Sequence, residues 1–143
     1  FIVTSNTVYT QFQLPLIEDH LKELGPAGGI DTVLQHSTVK HNLVVACDMP
    51  FIDRNSLQYL INESKQYEIT VPVLNQYPEA LLAVYSTSCY QRWHDGIEEG
   101  TLKLSDLLTM FATKFVDGNM MQFQNPLLFK NMNSRQDLED FAV

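Results

Sequence analysis

Cysteine is scarce: Cys47 and Cys89 are the only two in 143 residues, too few for a disulfide framework. Both sit among apolar neighbours, which predicts buried, reduced thiols and a cytoplasmic setting. No apolar run approaches the eighteen or so residues a membrane span needs, and no signal peptide is visible. Positive charge is also in short supply. Nine Lys and Arg face seventeen Asp and Glu, for a net charge of −8. A global charge of that sign repels phosphate backbones and anionic lipid, so neither nucleic acid nor a membrane is expected as a partner. A small anionic ligand would need a local site of backbone amides, cations or bound metal.

Motifs are missing as well. There is no G-x-G-x-x-G, Walker A, H-E-x-x-H, C-x-x-C or G-x-S-x-G. His20, His36, His41 and His94 have no spacing that puts two on one helical face, so no zinc site is expected.

What is present is an ordinary globular composition, with 45% hydrophobic and 18% charged residues. Residues 1–143 carry no repeat, low-complexity stretch or linker, and read as a single domain. Phe1–Val3 and Leu14–Ile17 read as short strands. The run Gly25-Pro26-Ala27-Gly28-Gly29 breaks the chain before a helix carrying Ile30, Val33 and Leu34. Leu43–Cys47 is continuously apolar, the pattern of a strand covered on both faces, as in a parallel sheet. Asp53 suits the N-cap of a helix carrying Leu57, Leu60 and Ile61. Ile69–Leu74 and Leu81–Tyr85 read as strands joined by a hairpin or a crossing. Helices are expected at Cys89–Ile97 and Leu104–Phe111, a short strand at Phe115–Val116, and a last helix capped by Ser134 and holding Leu138 and Phe141. This alternation predicts a three-layer α/β domain with a mostly parallel sheet and one β-rich excursion. Trp93 and the Leu/Phe stripes belong to its core. Asp137, Glu139 and Asp140 read as a solvated helix face.

Asp48 is the strongest chemical signal. Ligands of open α/β sheets collect beyond the carboxyl ends of the strands, and Asp48 directly follows an apolar strand. A carboxylate there either holds Mg²⁺, which uses one or two carboxylates plus substrate phosphates, or caps the turn. Asp19 either accepts from a base or ribose or serves backbone amides of the glycine turn. Gly25–Gly29 gives backbone freedom near a helix N-terminus, suited to close ligand approach and equally to turn geometry. Asn131 and Asn133, alternate residues of an extended segment, serve either one ligand or the loop backbone. Lys103 reads as a solvated surface charge.

Taken in order, Leu16-Ile17-Glu18-Asp19, Gly25-Pro26-Ala27-Gly28-Gly29 and Leu43-Val44-Val45-Ala46-Cys47-Asp48-Met49-Pro50 resemble the molybdenum cofactor guanylyltransferase family. Ala83-Val84-Tyr85 is similar to that family's strand ending in Ala-hydrophobic-Tyr. Phe129-Lys130-Asn131-Met132-Asn133-Ser134 with Gln136-Asp137-Leu138 resembles its closing F-x-N-x-N-T-P-E-D-L segment. The resemblance implies a Rossmann-like nucleotidyltransferase fold and transfer of GMP from GTP to molybdopterin cofactor, with release of pyrophosphate. It assigns Mg²⁺ to Asp48, nucleotide contacts to Asn6, Asp19 and Gly25, and pterin contacts to Lys103, Asn131 and Asn133. It also implies other cofactor-biosynthesis proteins and molybdoenzyme acceptors as partners.

The family's opening strand, Leu-Ala-Gly-Gly loop and helix, with an arginine and a lysine that hold the triphosphate, have no counterpart here. Roughly fifty residues are expected to be missing on this reading. Ala27, Ala80 and Ser134-Arg135 stand where the family commonly has Leu, Pro and Thr-Pro. The alternatives are a cytidylyl- or other nucleotidyltransferase, and a non-catalytic pterin- or partner-binding remnant.

Overall fold

The computed structural model describes residues 1–134 and 137, with the backbone alone at residue 22. Among the described residues, seven strands and five α-helices follow one another as β1 (Ile2–Val3), β2 (Leu16–Ile17), α1 (Pro26–His36), β3 (His41–Val45), α2 (Arg54–Glu63), β4 (Ile69–Leu74), β5 (Tyr77–Pro78), β6 (Leu82–Ser86), α3 (Tyr90–Glu98), α4 (Leu104–Leu108), β7 (Thr113–Asp117) and α5 (Gly118–Gln124). The final helix expected after Ser134 lies outside the described residues.

Side-chain alternation along β6 sorts the core into two faces. Leu82 and Val84 pack with Met49, Leu60, Met121 and Leu128, beneath α2 and α5. Ala83 and Tyr85 pack on the opposite side with Ile30, Trp93, Ile97 and Leu107, beneath α1, α3 and α4. Helices therefore cover both faces of the sheet, giving the three layers expected. Trp93 anchors the second face. It is fully buried, lies edge-on to Tyr85 at 5.5 Å between centroids, and donates from its indole nitrogen to the Ala27 carbonyl at 3.1 Å.

The main sheet runs β3-β6-β4-β5, with β7 along the other edge of β4. β4 and β7 are parallel, whereas β6 is antiparallel to both β3 and β4. The strands β3, β4 and β7 thus share one direction, with β6 reversed between β3 and β4. The reversal follows from a two-residue hairpin. Asn75 and Gln76 both have positive φ, 50° and 72°, the conformation that folds β5 back on β4. The hairpin alternative for this connection is the one realised.

Two expectations fail together at β3. The strand covered on both faces is β6, buried at every residue; β3 is an edge strand, pairing only with β6 among the described elements. Val45 is consequently exposed, and so is Cys47, which was expected to be buried. An apolar run marks a strand that faces nonpolar surroundings, but it does not say whether both of its edges are paired. The other parallel pair, β1 with β2, forms a separate two-stranded sheet. Two helical features differ from expectation as well. α4 is only five residues long, and α5 was not anticipated.

Candidate active site

A cleft of about 880 Å³ opens between β1, the start of α1 and the whole length of β3. Asp19, Gly25 and Asp48 all line it, although 29 residues separate the first from the last. The fold brings them together by directing β3 and the turn before α1 toward one edge.

Asp48 follows β3 in the turn leading to α2. Its Oδ1 is buried and has no hydrogen-bond partner among the described residues. Its backbone carbonyl accepts from the Met132 N–H at 2.8 Å. The next residue, Met49, is buried in the lower face of the core, fixing the direction in which the chain leaves the strand. An unsatisfied buried carboxylate oxygen carries a desolvation cost that a cation or donor must offset.

Asp19 is held locally. Its Oδ1 accepts from the Leu21 N–H at 2.8 Å and from the Thr32 hydroxyl at 3.3 Å, tying the turn to α1. Gly25 adopts φ +59°, ψ −145°, a conformation open to glycine and strained for other residues. Its carbonyl accepts from the N–H groups of Gly28 and Gly29 at 3.1 and 3.3 Å, starting α1 with its N-terminal dipole toward the cleft. Gly28 is required by packing: a Cβ there would lie 2.5 Å from the Leu21 carbonyl oxygen.

Asn131 and Asn133 flank Met132, so the bond from Met132 to Asp48 brings both to the edge of the Asp48 turn. The Asn133 and Ser134 N–H groups bond to Asp137 Oδ2, and the Asp137 N–H donates back to the Ser134 hydroxyl at 3.2 Å. The two residues thus meet reciprocally, each side chain bonding to the other's backbone. Those bonds hold the Asp137 carboxyl below the usual range, the Ser134 hydroxyl most of all.

Neither Asn131 nor Asn133 is among the residues lining the cleft, and the remaining two candidates stand apart from it as well. Asn6 is not among the residues lining the cleft; its Oδ1 accepts from the Val8 N–H at 3.0 Å and caps the 3₁₀ turn Thr7–Phe12. Lys103 precedes α4, where its side chain is exposed and lies 3.5 Å from Asp106 Oδ1. It does not line the cleft either.

Three polar residues around this region escaped sequence reading. Asn42, buried on β3, donates to the Tyr85 carbonyl at 3.3 Å and lines the cleft. Asn125 reaches across to the turn after Asp48, and His94 meets Asp31. Each contact spans more than forty residues of sequence, so no local spacing could reveal it.

A model of the MobA-like NTP transferase domain matches residues 1–111. The chain belongs to that family. It is 31% identical to a probable molybdenum cofactor guanylyltransferase of Clostridium perfringens over 97% of this chain and 73% of that protein. A protein of the same description from Flavobacterium johnsoniae is also 31% identical, over 99% of this chain and 74% of its own length. Among solved structures, molybdopterin-guanine dinucleotide biosynthesis protein A from Archaeoglobus fulgidus superposes with a TM-score of 0.76 at 26% identity, covering 93% of this chain and 69% of that one. A putative protein from Aquifex aeolicus, 19% identical with a TM-score of 0.78, shares the fold. Membership of the MobA-like family makes this a nucleotidyltransferase domain, and its α/β fold is shared with the Archaeoglobus fulgidus protein. No helix among the described residues is long and apolar enough to cross a membrane.

Proposed function

We propose that the chain transfers GMP from GTP to molybdopterin cofactor, in the cytoplasm, with Asp48 holding a Mg²⁺ ion. The observation that carries this reading is the buried, unpartnered Oδ1 of Asp48, a residue that lines the cleft. A lone hard carboxylate oxygen fits Mg²⁺, which takes one or two protein carboxylates and completes its shell with waters and phosphate oxygens. Bound there, the cation would neutralise triphosphate charge and polarise the phosphate under attack.

The chain's own contribution is alignment and water exclusion. Gly25, without a Cβ, lets a nucleotide approach the backbone at the N-terminus of α1, where the helix dipole favours phosphate. The Asp19 carboxylate, fixed by Leu21 and Thr32, is available to ribose or base donors. Asn131 and Asn133 offer amides to the pterin from beside the Asp48 turn. Lys103 and Asn6 enter this scheme from the family resemblance, and each has a local partner in the free chain. Positioning of this kind is most of what phosphoryl-type transfer asks of a protein.

The test is pyrophosphate release from GTP with molybdopterin as acceptor, with CTP as competitor, for the natural chain and D48N. Mg²⁺-dependent release that falls by about 10²–10³ in D48N, the scale for losing a preorganised electrostatic contact, supports the reading. Release unaffected by D48N overturns the metal role. Preference for CTP overturns the choice of base. Pterin binding without any release points to a binding module instead.

A further inference from the structure

Residues 125–133 form a strap across the turn that carries Asp48, and its firmest attachment is a side chain. Asn125 Nδ2 donates to the Phe51 carbonyl at 2.9 Å and to Asp53 Oδ2 at 2.8 Å. Its Oδ1 accepts from the Leu127 N–H at 3.2 Å, and its own N–H donates to the Met121 carbonyl at 3.0 Å. The amide therefore has one possible orientation, because Phe51 O can only accept and the Leu127 N–H can only donate. The other attachment is the Met132 N–H to the Asp48 carbonyl.

Asp53 is the fixed point at the far end of the turn. Its Oδ1 accepts the N–H groups of Asn55 and Ser56 at 2.8 and 2.9 Å, and its Oδ2 accepts the Ser56 hydroxyl. Asn125 joins that capped helix start to the Phe51 carbonyl. The turn from Asp48 to Asp53 is thereby clamped at its exit by Asn125, at Asp48 by Met132, and from below by Met49 in the core. The geometry points to Asn125 as a positioning residue that holds the Asp48 turn in the conformation presenting the carboxylate to a divalent cation and nucleotide. This rests on the function proposed above. Residues that orient a ligand without touching the metal typically change affinity by about 10–100-fold when removed.

The experiment compares N125A, N125D and D48N in the same 143-residue chain. N125D keeps the shape of the side chain and turns a donor facing two acceptors into a third acceptor. Two quantities are measured: affinity for a fluorescent GTP analogue with EDTA and with Mn²⁺, and amide hydrogen exchange of the 47–53 segment, with α1 as internal control. The expected result is loss of the Mn²⁺-linked gain in D48N and a reduction of that gain by about tenfold or more in both Asn125 variants. Affinity in EDTA should stay unchanged, a split that general loss of structure would not produce. Exchange in 47–53 should accelerate while α1 keeps its protection. Should N125A lose protection everywhere, N125D carries the test. If D48N loses the Mn²⁺-linked gain and both Asn125 variants retain it, or if 47–53 exchange is unaltered, the positioning role is overturned and the function stands. If D48N itself retains the gain, the metal reading falls and this inference with it.

Discussion

His94 on α3 donates from Nδ1 to both carboxylate oxygens of Asp31 on α1, at 3.1 and 3.3 Å, across 63 residues of sequence. Asp31 is buried to 3% side-chain exposure, while the imidazole keeps a third of its surface in water. The pair pins α3 against α1, the helix whose N-terminus opens on the cleft. Burial pushes the Asp31 carboxyl above its ordinary 3.8, and the hydrogen bond and charge of His94 offset this only in part; the nearby Asp19 and Glu98 add to the rise.

The sign of the pH dependence follows. Between pH 3.8 and the raised value, the folded chain holds a proton on Asp31 that the unfolded chain has released. Stability contributed by this site therefore declines as pH rises through that window. D31N keeps an acceptor for His94 and carries no charge. Its stability relative to the natural chain should be level below pH 3.8 and increase through the window, read by urea denaturation at several pH values. H94A leaves a buried carboxylate without its partner and should cost about 1–3 kcal/mol.

Asp53 behaves in the opposite way. The hydrogen bond from Asn125, with those from Ser56 and Asn55, holds its carboxyl below the usual range. Its stabilising contribution is present above pH 3.8 and is lost as pH falls through the lowered folded value. D53A removes the cap of α2 and should destabilise by about 0.5–2 kcal/mol at neutral pH. D53N, a competent cap without a titrating group, should remove the acid-side dependence. Thermal melts at pH 7 and pH 3 separate the two.

The two thiols should differ in reactivity. Cys47 is exposed beside the cleft, whereas Cys89 is buried and its thiol is pushed up to about 12, chiefly by desolvation. Since the thiolate is the reactive form, mild alkylation of the native chain should give a single adduct at Cys47. Denaturant should yield two. Intact-mass spectrometry with peptide mapping reads this directly, and modification of Cys89 in the folded chain would contradict the packing described.

The sequence made local features legible. Asp53 as a cap and the glycine turn before α1 depend on neighbours within a few residues, and Trp93 was placed in the core by its residue type alone. The alternation of strands and helices anticipated the three layers, and the place of Asp48 directly after an apolar strand anticipated the sheet edge at which it lies. Pairing of strands was less accessible. The run Leu43–Cys47 is as apolar as β6, yet β6 lies between β3 and β4 whereas β3 pairs with β6 alone among the described elements. The clamp by Asn125 and the Asp31–His94 pair were invisible for a related reason. Their partners lie 72 to 74 residues away in one case and 63 in the other, and no periodicity encodes a contact made by tertiary folding.

The edge of β3, unpaired among the described residues, has a physical consequence for a polypeptide of these residues. Backbone N–H and C=O groups along an unpaired edge are a template for pairing with another chain. Val45 on that strand is 41% exposed, and Phe1, Phe12 and Val39 add exposed apolar surface around the same cleft. Self-association should therefore rise with concentration and be visible by sedimentation velocity in the micromolar range. A lysine on an edge strand disfavours such pairing by placing charge where a second strand would dock, so V45K should shift the distribution toward monomer. Because Val45 sits on the rim rather than in the core, its melting temperature should change little. A chain that stays monomeric at all concentrations, with V45K indistinguishable from it, would mean that the β3 edge is shielded in solution.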